Sequence, residues 1–359
     1  MTHLVNEGDA SRGSIAKTIY ALRLLCVFFI ALGSWHPTLA QMANVRVALV
    51  QSASDAPFFI AEKKGYFANE GIKITFSVLR DVIAPLGTGQ LDVGATSTSA
   101  GLFNAVERGI NVKIVADKGS TPPGYGYQPI LVRKDLIDSG KVKSFADFKG
   151  LKVAAFNNGS ASMSTLNDAL ARGGLKLSDT NIVFMPFPQH VLALSNGAVD
   201  ASITTEPSAT EAIKRGVAVR LMSDDVIYPN HQLAVVMYGG DFIRDQPETA
   251  KKFMRAYIRG VRYYNDALKD GRLAGPNAAD VIAILTESTS IKDPEIFKTI
   301  TPNGVNPNGE ANLVSLRKDL AFYKAQGLVT GKVTIEQAVD NSFVDAAIKE
   351  LGPYTPRIK

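Results

Sequence analysis

The strongest constraint on this chain is an internal echo. Gly89-Gln90-Leu91-Asp92-Val93-Gly94-Ala95-Thr96-Ser97 returns as Gly197-Ala198-Val199-Asp200-Ala201-Ser202-Ile203-Thr204-Thr205. Both copies read Gly-x-aliphatic-Asp-x-small-x-Thr-hydroxyl, and each follows an apolar segment, 82–86 or 191–194. Physically this is a helix stopped by Gly, a short turn and a buried strand that ends in hydroxyls. One repetition at long range implies two similar α/β halves, because a solenoid needs many copies. Chance similarity among common residue types is the competing explanation. If the halves are real, their hydroxyl-rich strand ends can face each other across a cleft. Asp92 and Asp200 precede their strands, so a structural role away from the cleft mouth is expected.

The first forty residues read as a leader. Arg12, Lys17 and Arg23 precede an apolar run over 24–32, and Thr38-Leu39-Ala40 offers a small-residue cleavage site. The run is too short to span a bilayer, so a secretory signal peptide over 1–40 is expected, with the remainder soluble and in the periplasm. The only Cys, Cys26, and the only Trp, Trp35, lie in this leader. A chain cut after Ala40 therefore has no disulfide, thiol nucleophile or Cys metal ligand. The formal charge of +5 falls to +4 without the leader, whose three basic residues outweigh Glu7 and Asp9 by one. Basic residues are dispersed, which argues against nucleic acid as a partner. The mild positive excess suits an anionic small ligand slightly better than a cationic one.

Strands and helices alternate from the start, the pattern of a mostly parallel sheet with helices on both faces. Strands are expected over 45–50, 72–78 and 112–116, with a helix opened by Pro57 and another over 99–108. The run Gly119-Ser120-Thr121-Pro122-Pro123-Gly124-Tyr125-Gly126-Tyr127-Gln128-Pro129 continues neither element, and reads as a first crossing between lobes. The rhythm resumes with strands over 152–156 and 182–185 and a helix over 161–172. Tyr228-Pro229-Asn230-His231 marks a return crossing, after which the chain turns mostly helical. The domains are thus a first lobe over 41–128, a second over 129–232, and a return to the first lobe over 233–359.

With these elements in place a resemblance emerges. Ala56-Pro57-Phe58-Phe59-Ile60-Ala61-Glu62-Lys63-Lys64-Gly65-Tyr66-Phe67 followed by Glu70-Gly71-Ile72 is similar to the opening of the NMT1/THI5-like periplasmic binding proteins. Ser144-Phe145-Ala146-Asp147-Phe148-Lys149-Gly150, Asn158-Gly159-Ser160 and the two echo segments resemble that family in its order, across 44–350. The resemblance implies a type II periplasmic-binding fold: two α/β lobes joined by two crossover strands, closing over a ligand. It also implies the solute receptor of an ABC importer, working as a monomer with a cognate permease and without cofactor. Taurine or alkyl sulfonates, nitrate and thiamine-precursor pyrimidines are the ligands it suggests, and the hydroxyls, helix starts, Phe58 and the tyrosines also permit an aromatic carboxylate.

Ligand contacts are expected where strand ends meet helix starts. Asn158, Gly159, Ser160 and Ser162 occupy such a turn, where free N–H groups and the helix dipole suit an anion; simple capping is the alternative. Thr96, Ser97 and Thr98 form the corresponding turn of the first lobe, with more hydroxyls than one cap needs. Ser54 and Phe58 lie in the first strand-to-helix turn, Phe58 facing the ligand and Phe59 the core, with Asp55 as a cap. Arg80 either pairs with a carboxylate or sulfonate or sits on the surface. Tyr127 stacks on ligand or packs the hinge. Glu206 either reaches ligand or satisfies a helix dipole, and His190 is structural.

Enzyme signatures are missing. HExxH, GxSxG and GxxxxGK[ST] do not occur, and beyond the leader only His190 and His231 remain. A binding protein is therefore expected rather than an enzyme, with a membrane-receptor ligand sensor and an exported enzyme on the binding-protein fold as the alternatives.

Overall fold

The computed structural model describes residues 1–3 and 42–356, so the expected leader lies, apart from its first three residues, outside the described residues. Two five-stranded sheets organise the rest. The first contains β1 (Ala43–Leu49), β2 (Ile72–Val78), β3 (Val93–Ser97), β4 (Val112–Ser120) and the late β10 (Gln232–Gly239). The second contains β5 (Ile130–Arg133), β6 (Lys152–Ala155), β7 (Asn181–Phe184), β8 (Ala201–Ile203) and β9 (Ala218–Met222). Their orders are β2-β1-β3-β10-β4 and β7-β6-β8-β5-β9. Each is parallel except for one strand: β10 runs antiparallel to β3 and β4, and β5 antiparallel to β8 and β9. Those two exceptions are the strands that follow the crossings. The same topology is thus built twice, in the two-lobed type II arrangement.

The echo has a physical cause. Asp92 Oδ2 accepts the Arg46 N–H at 2.7 Å, its own N–H reaches Arg46 O at 3.2 Å, and its carbonyl accepts Gly239 N–H at 3.0 Å. Asp200 repeats every step: Oδ2 takes Lys152 N–H at 3.0 Å, its N–H reaches Lys152 O at 2.8 Å, and its carbonyl takes Arg133 N–H at 2.9 Å. One carboxylate per lobe therefore pins the third strand against the first and against the antiparallel strand. Gly89 and Gly197, at φ +68° and +73°, supply the left-handed turn that delivers each Asp. With the strand starts fixed, the strand ends point toward the other lobe.

Helices cover both sheets. In the first lobe, α1 (Ala56–Lys63) packs on the long α5 (Pro247–Asn265), whose apolar positions recur at three- and four-residue spacing. Phe58 lies in this seam, fully buried, with its ring 4.6 Å from that of Tyr257. Gly260 lets the helices approach, since a Cβ there would fall 2.3 Å from Pro57 O. The remaining helices used below are α2 (Ala100–Glu107), α3 (Ala161–Arg172), α4 (Ser208–Lys214) and α6 (Leu313–Ala325). β4 runs four residues beyond the expected 112–116, because β10 pairs along it as far as Ser120. None of the described helices is long and apolar enough to cross a membrane.

The two latches differ in strength. Asp92 is nearly buried and receives a two-pronged guanidinium from Arg46, at 2.6 and 2.9 Å, whereas Asp200 is more exposed and meets Arg133 at only 3.5 Å. Asp92→Ala should therefore destabilise by roughly 2–3 kcal/mol and Asp200→Ala by about 1 kcal/mol, read as midpoint shifts in urea denaturation. Equal effects would contradict this ranking of the two carboxylates.

Candidate functional site

The lobes meet through backbone. Ala100 N–H, at the start of α2, donates to Gly159 O at 2.7 Å, and Ala161 N–H, at the start of α3, donates to Thr98 O at 3.0 Å. Ser99 and Ser160 thereby form a bridge between the two helix starts. A third contact joins Ala53 N–H to Glu206 O at 2.7 Å. Apolar contact adds Val50 from the first lobe to Phe156 and Phe187 from the second. Val50 and Phe156 are equivalent residues, each four positions past the latched N–H of Arg46 or Lys152.

These contacts enclose a cavity of about 20 Å³ between the lobes, lined by Ser52, Ser54, Ser97, Tyr127, Gln128, Phe156, Ser162, Phe187 and Thr205 among others. Around it, Ser162 Oγ, Thr205 Oγ1 and Gln128 Oε1 are buried with no protein hydrogen-bond partner. Buried polar atoms almost always have partners, and each left without one costs about 1–3 kcal/mol, so three around one cavity make it the candidate binding point. The space suffices for one water. Anything larger enters only if the lobes part.

Beneath the cavity lies a buried charge pair. Lys118 and Asp55 are both fully buried, with Nζ 2.7 Å from Oδ1. Lys118 also donates to Ser54 Oγ at 2.7 Å, and Ser54 Oγ lies 2.6 Å from Ser52 Oγ. Burial lowers the Lys118 pKa from its ordinary value, while Asp55 opposes that shift. Tyr127 bonds to Ser54, and its phenol is pushed well above its ordinary value by burial, with Asp224 adding to the rise. No Lys or Arg side chain lines the cavity itself. The cavity wall offers hydroxyl, amide and aromatic groups, with the Lys118 charge neutralised by Asp55 beneath it.

The expected residues divide accordingly. Ser54, Ser97, Tyr127 and Ser162 line the cavity. Thr96 and Thr98 are buried with unpartnered hydroxyls but do not line it; Thr98 contributes its carbonyl to the lobe contact. Gly159 likewise acts through its carbonyl, and Ser160 Oγ closes its own turn onto Asn157 O at 3.0 Å. Asn158 is exposed. Phe58 is corrected outright: the α1 turn directs it into the α5 seam, and its neighbour Phe59 packs edge-on against Phe76 beside the cleft. Arg80 is exposed beyond β2 and lines neither cavity between the lobes. Glu206 is structural in its carboxylate, which accepts Arg220 at 2.9 Å and caps α4 through Thr210 N–H at 2.8 Å. His190 is buried between Thr204 and Met185 O, its pKa lowered by burial to about 4.

Ser52, Gln128, Phe156, Phe187 and Thr205 were not anticipated. Thr205 was readable: the offset between Gly89 and Gly197 carries Ser97 onto Thr205, and both reach the same cavity. Gln128, in a loop without periodicity, carried no signal. Among the described residues, no group of three or more His, Cys, Asp or Glu is placed to hold a metal.

Comparison with known proteins gives a consistent picture. The model for the NMT1/THI5-like family matches residues 52–267. The chain is 23% identical over 326 residues to the riboflavin-binding protein RibY of Chloroflexus aurantiacus, covering 86% of this chain and 87% of that one. It is 27% identical over 271 residues to a putative aliphatic sulfonates-binding protein of Escherichia coli, covering 74% and 78%. Its fold is similar to the periplasmic nitrate-binding protein NrtA of Synechocystis, with TM-score 0.72, 16% identity, and 87% and 90% of the chains covered. It is also similar, at TM-score 0.59 and 14% identity over 86% and 99%, to the desulfurization enzyme DSZB.

Two outcomes are expected here. Lys118→Met strands the Asp55 carboxylate in the interior and should cost about 3–5 kcal/mol in urea denaturation, with much of it recovered in Asp55→Asn/Lys118→Met. Asp224, behind Tyr127, has its pKa raised by burial from 3.8 to about 7. The fold thus favours its protonated form, so this contribution is complete below pH 4 and is lost as pH rises through 7. Asp224→Asn should flatten the fall in Tm between pH 4 and 7; an unchanged slope would remove Asp224 as its source.

Proposed function

The chain belongs to the NMT1/THI5-like family, and on that premise we propose that it is the periplasmic solute receptor of an ABC importer for a small organic anion. The observation that carries this reading is the trio of unpartnered polar atoms, Ser162 Oγ, Thr205 Oγ1 and Gln128 Oε1, on a cavity that both lobes must close to form. A sulfonate or carboxylate head accepts hydrogen bonds from the Ser162 and Thr205 hydroxyls without needing a salt bridge, and Gln128 Oε1, an acceptor, is left for an N–H or O–H of the ligand or for a water. Relatives named for sulfonate and nitrate binding support the anionic assignment. The relative named for riboflavin keeps aromatic rings within the range to be tested, as do Phe156, Phe187 and Tyr127 on the cavity wall.

Capture works through closure. In the open state the interlobe hydrogen bonds and the Val50–Phe156–Phe187 contact are broken, and the polar wall is hydrated. A ligand that bridges the walls favours a partly closed form, its head group holding the walls wider apart than the one-water gap of the fully shut cleft, and shifts the equilibrium by its difference in affinity between that form and the open one. The closed form is then what a permease recognises. The chain acts as a monomer without cofactor, and the amine beside the cavity hydroxyls, Lys118, is tied to Asp55.

The test is a thermal-shift screen with taurine, alkyl and aryl sulfonates, aromatic carboxylates, nitrate, riboflavin and thiamine-precursor pyrimidines. A ligand at a hundred times its Kd adds about 2.7 kcal/mol, a shift of several degrees. For the best hit, Ser162→Ala with Thr205→Ala should weaken binding by roughly 1–3 kcal/mol, on the order of tenfold or more in Kd, with little loss of stability. Unaltered affinity would move the head-group site elsewhere; a hit confined to riboflavin or a pyrimidine would replace the anion with a neutral ring.

A further inference from the structure

A second, larger cavity also lies between the lobes. It measures about 300 Å³ and adjoins the polar one at Ser52, which lines both. Its walls come from both lobes: Leu49, Phe59, Phe76, Ile291 and Phe297 on one side, Pro188 and Pro207 on the other. Phe59 and Phe76 stand edge-to-face with centroids 5.6 Å apart, giving a preformed aromatic wall. No Lys or Arg lines it, and its two carboxylates are already engaged, Asp55 by Lys118 and Glu211 by Arg215. The space is therefore unsuited to an anionic head and suited to an apolar body. It is about twice the ~150 Å³ that accommodates benzene in a protein interior.

We infer that the transported ligand is amphipathic: its anionic head meets the hydroxyl cluster, and an apolar body about as large as two fused rings or an eight-carbon chain fills the Phe59–Phe76–Phe297 cavity. This rests on the receptor reading above and narrows its ligand class. Between the two spaces lies the Ala53 N–H···Glu206 O contact, which belongs to the lobe closure and is released whenever the lobes part. In the open protein the two spaces are one cleft, with the polar end between the hydroxyl-bearing turns and the apolar end between β2 and the 278–299 helical segment. Since both lobes wall the apolar space, burying the body favours closure in the same direction as binding the head.

Calorimetric titration of the purified chain with ethane-, butane- and octanesulfonate and 2-naphthalenesulfonate tests this, alongside acetate, pentanoate, nonanoate and 2-naphthoate. Affinity should climb from the two-carbon to the eight-carbon member by about fourfold per methylene buried, with the naphthyl compounds near the top. Ser288→Trp, which places a large side chain at the cavity wall, should reduce the octane-to-ethane affinity ratio at least tenfold. Ser290→Trp, on the same wall, serves as the second variant should the first fail to fold. A flat series in which short members bind as well as long ones overturns the amphipathic ligand while leaving the receptor reading intact. A length dependence that survives both variants also overturns it, by moving the body elsewhere. Absence of binding by every member removes the anion receptor reading, and this inference with it.

Discussion

Everything at the base of the cleft depends on the pair between Lys118 and Asp55. A fully buried ammonium is tolerable only with a partner, and here the partner comes from the turn that follows β1 while the lysine comes from β4, on the opposite edge of the strand set. The pair ties that turn to the sheet and fixes Ser54, which in turn orients Ser52 and Tyr127. It also cancels the Lys118 charge beneath the cavity. Polarity is left without net charge, and so without the strong attraction that would hold any passing anion.

Selectivity then falls to shape and to hydrogen-bond geometry. Closing the lobes buries Ser162, Thr205 and Gln128 at a cost that the Ala100–Gly159, Ala161–Thr98 and Ala53–Glu206 hydrogen bonds must offset. Those three bonds use backbone groups at helix starts and turns, the same donors that the turn chemistry would otherwise offer to a ligand. The consequence is a cleft whose helix starts hold the lobes together while side-chain hydroxyls line the space between them. Water can satisfy these groups in an open cleft, whereas the closed one leaves Ser162 Oγ, Thr205 Oγ1 and Gln128 Oε1 without a protein partner.

The doubling of the fold explains why the cleft is where it is. Asp92 and Asp200 pin equivalent strand starts, Gly89 and Gly197 turn the chain into them, and Val50 and Phe156 end equivalent first strands on opposite walls. Two copies facing each other bring two sets of strand ends to one place. Equivalence stops where recognition begins: Val faces Phe, Ser97 faces Thr205, and only the second wall carries the Phe156–Phe187 stack, at 4.6 Å and 12°. The apolar space beside it belongs to neither copy, since the helical return after β10 supplies Ile291 and Phe297.

The order of strands and helices, the two lobes, the crossings and the structural role of the echo aspartates were legible in the sequence, because periodicity, glycine stops and hydroxyl-rich ends are local properties of the chain. Ser54, Ser97 and Ser162 stand where strand ends meet helix starts for the same reason, and the structure sets them on the cavity wall. What only the tertiary structure decided is which face of a turn a residue presents. Phe58 and Phe59 are neighbours of the same type, and nothing local says that the α5 helix, some two hundred residues away, claims the first and leaves the second beside the cleft. Likewise the N–H groups at the starts of α2 and α3 looked free for a ligand until the lobes were brought together and each was taken by the other lobe's carbonyl. Secondary structure follows from bonds between near neighbours. The contents of a cleft follow from which distant surfaces meet.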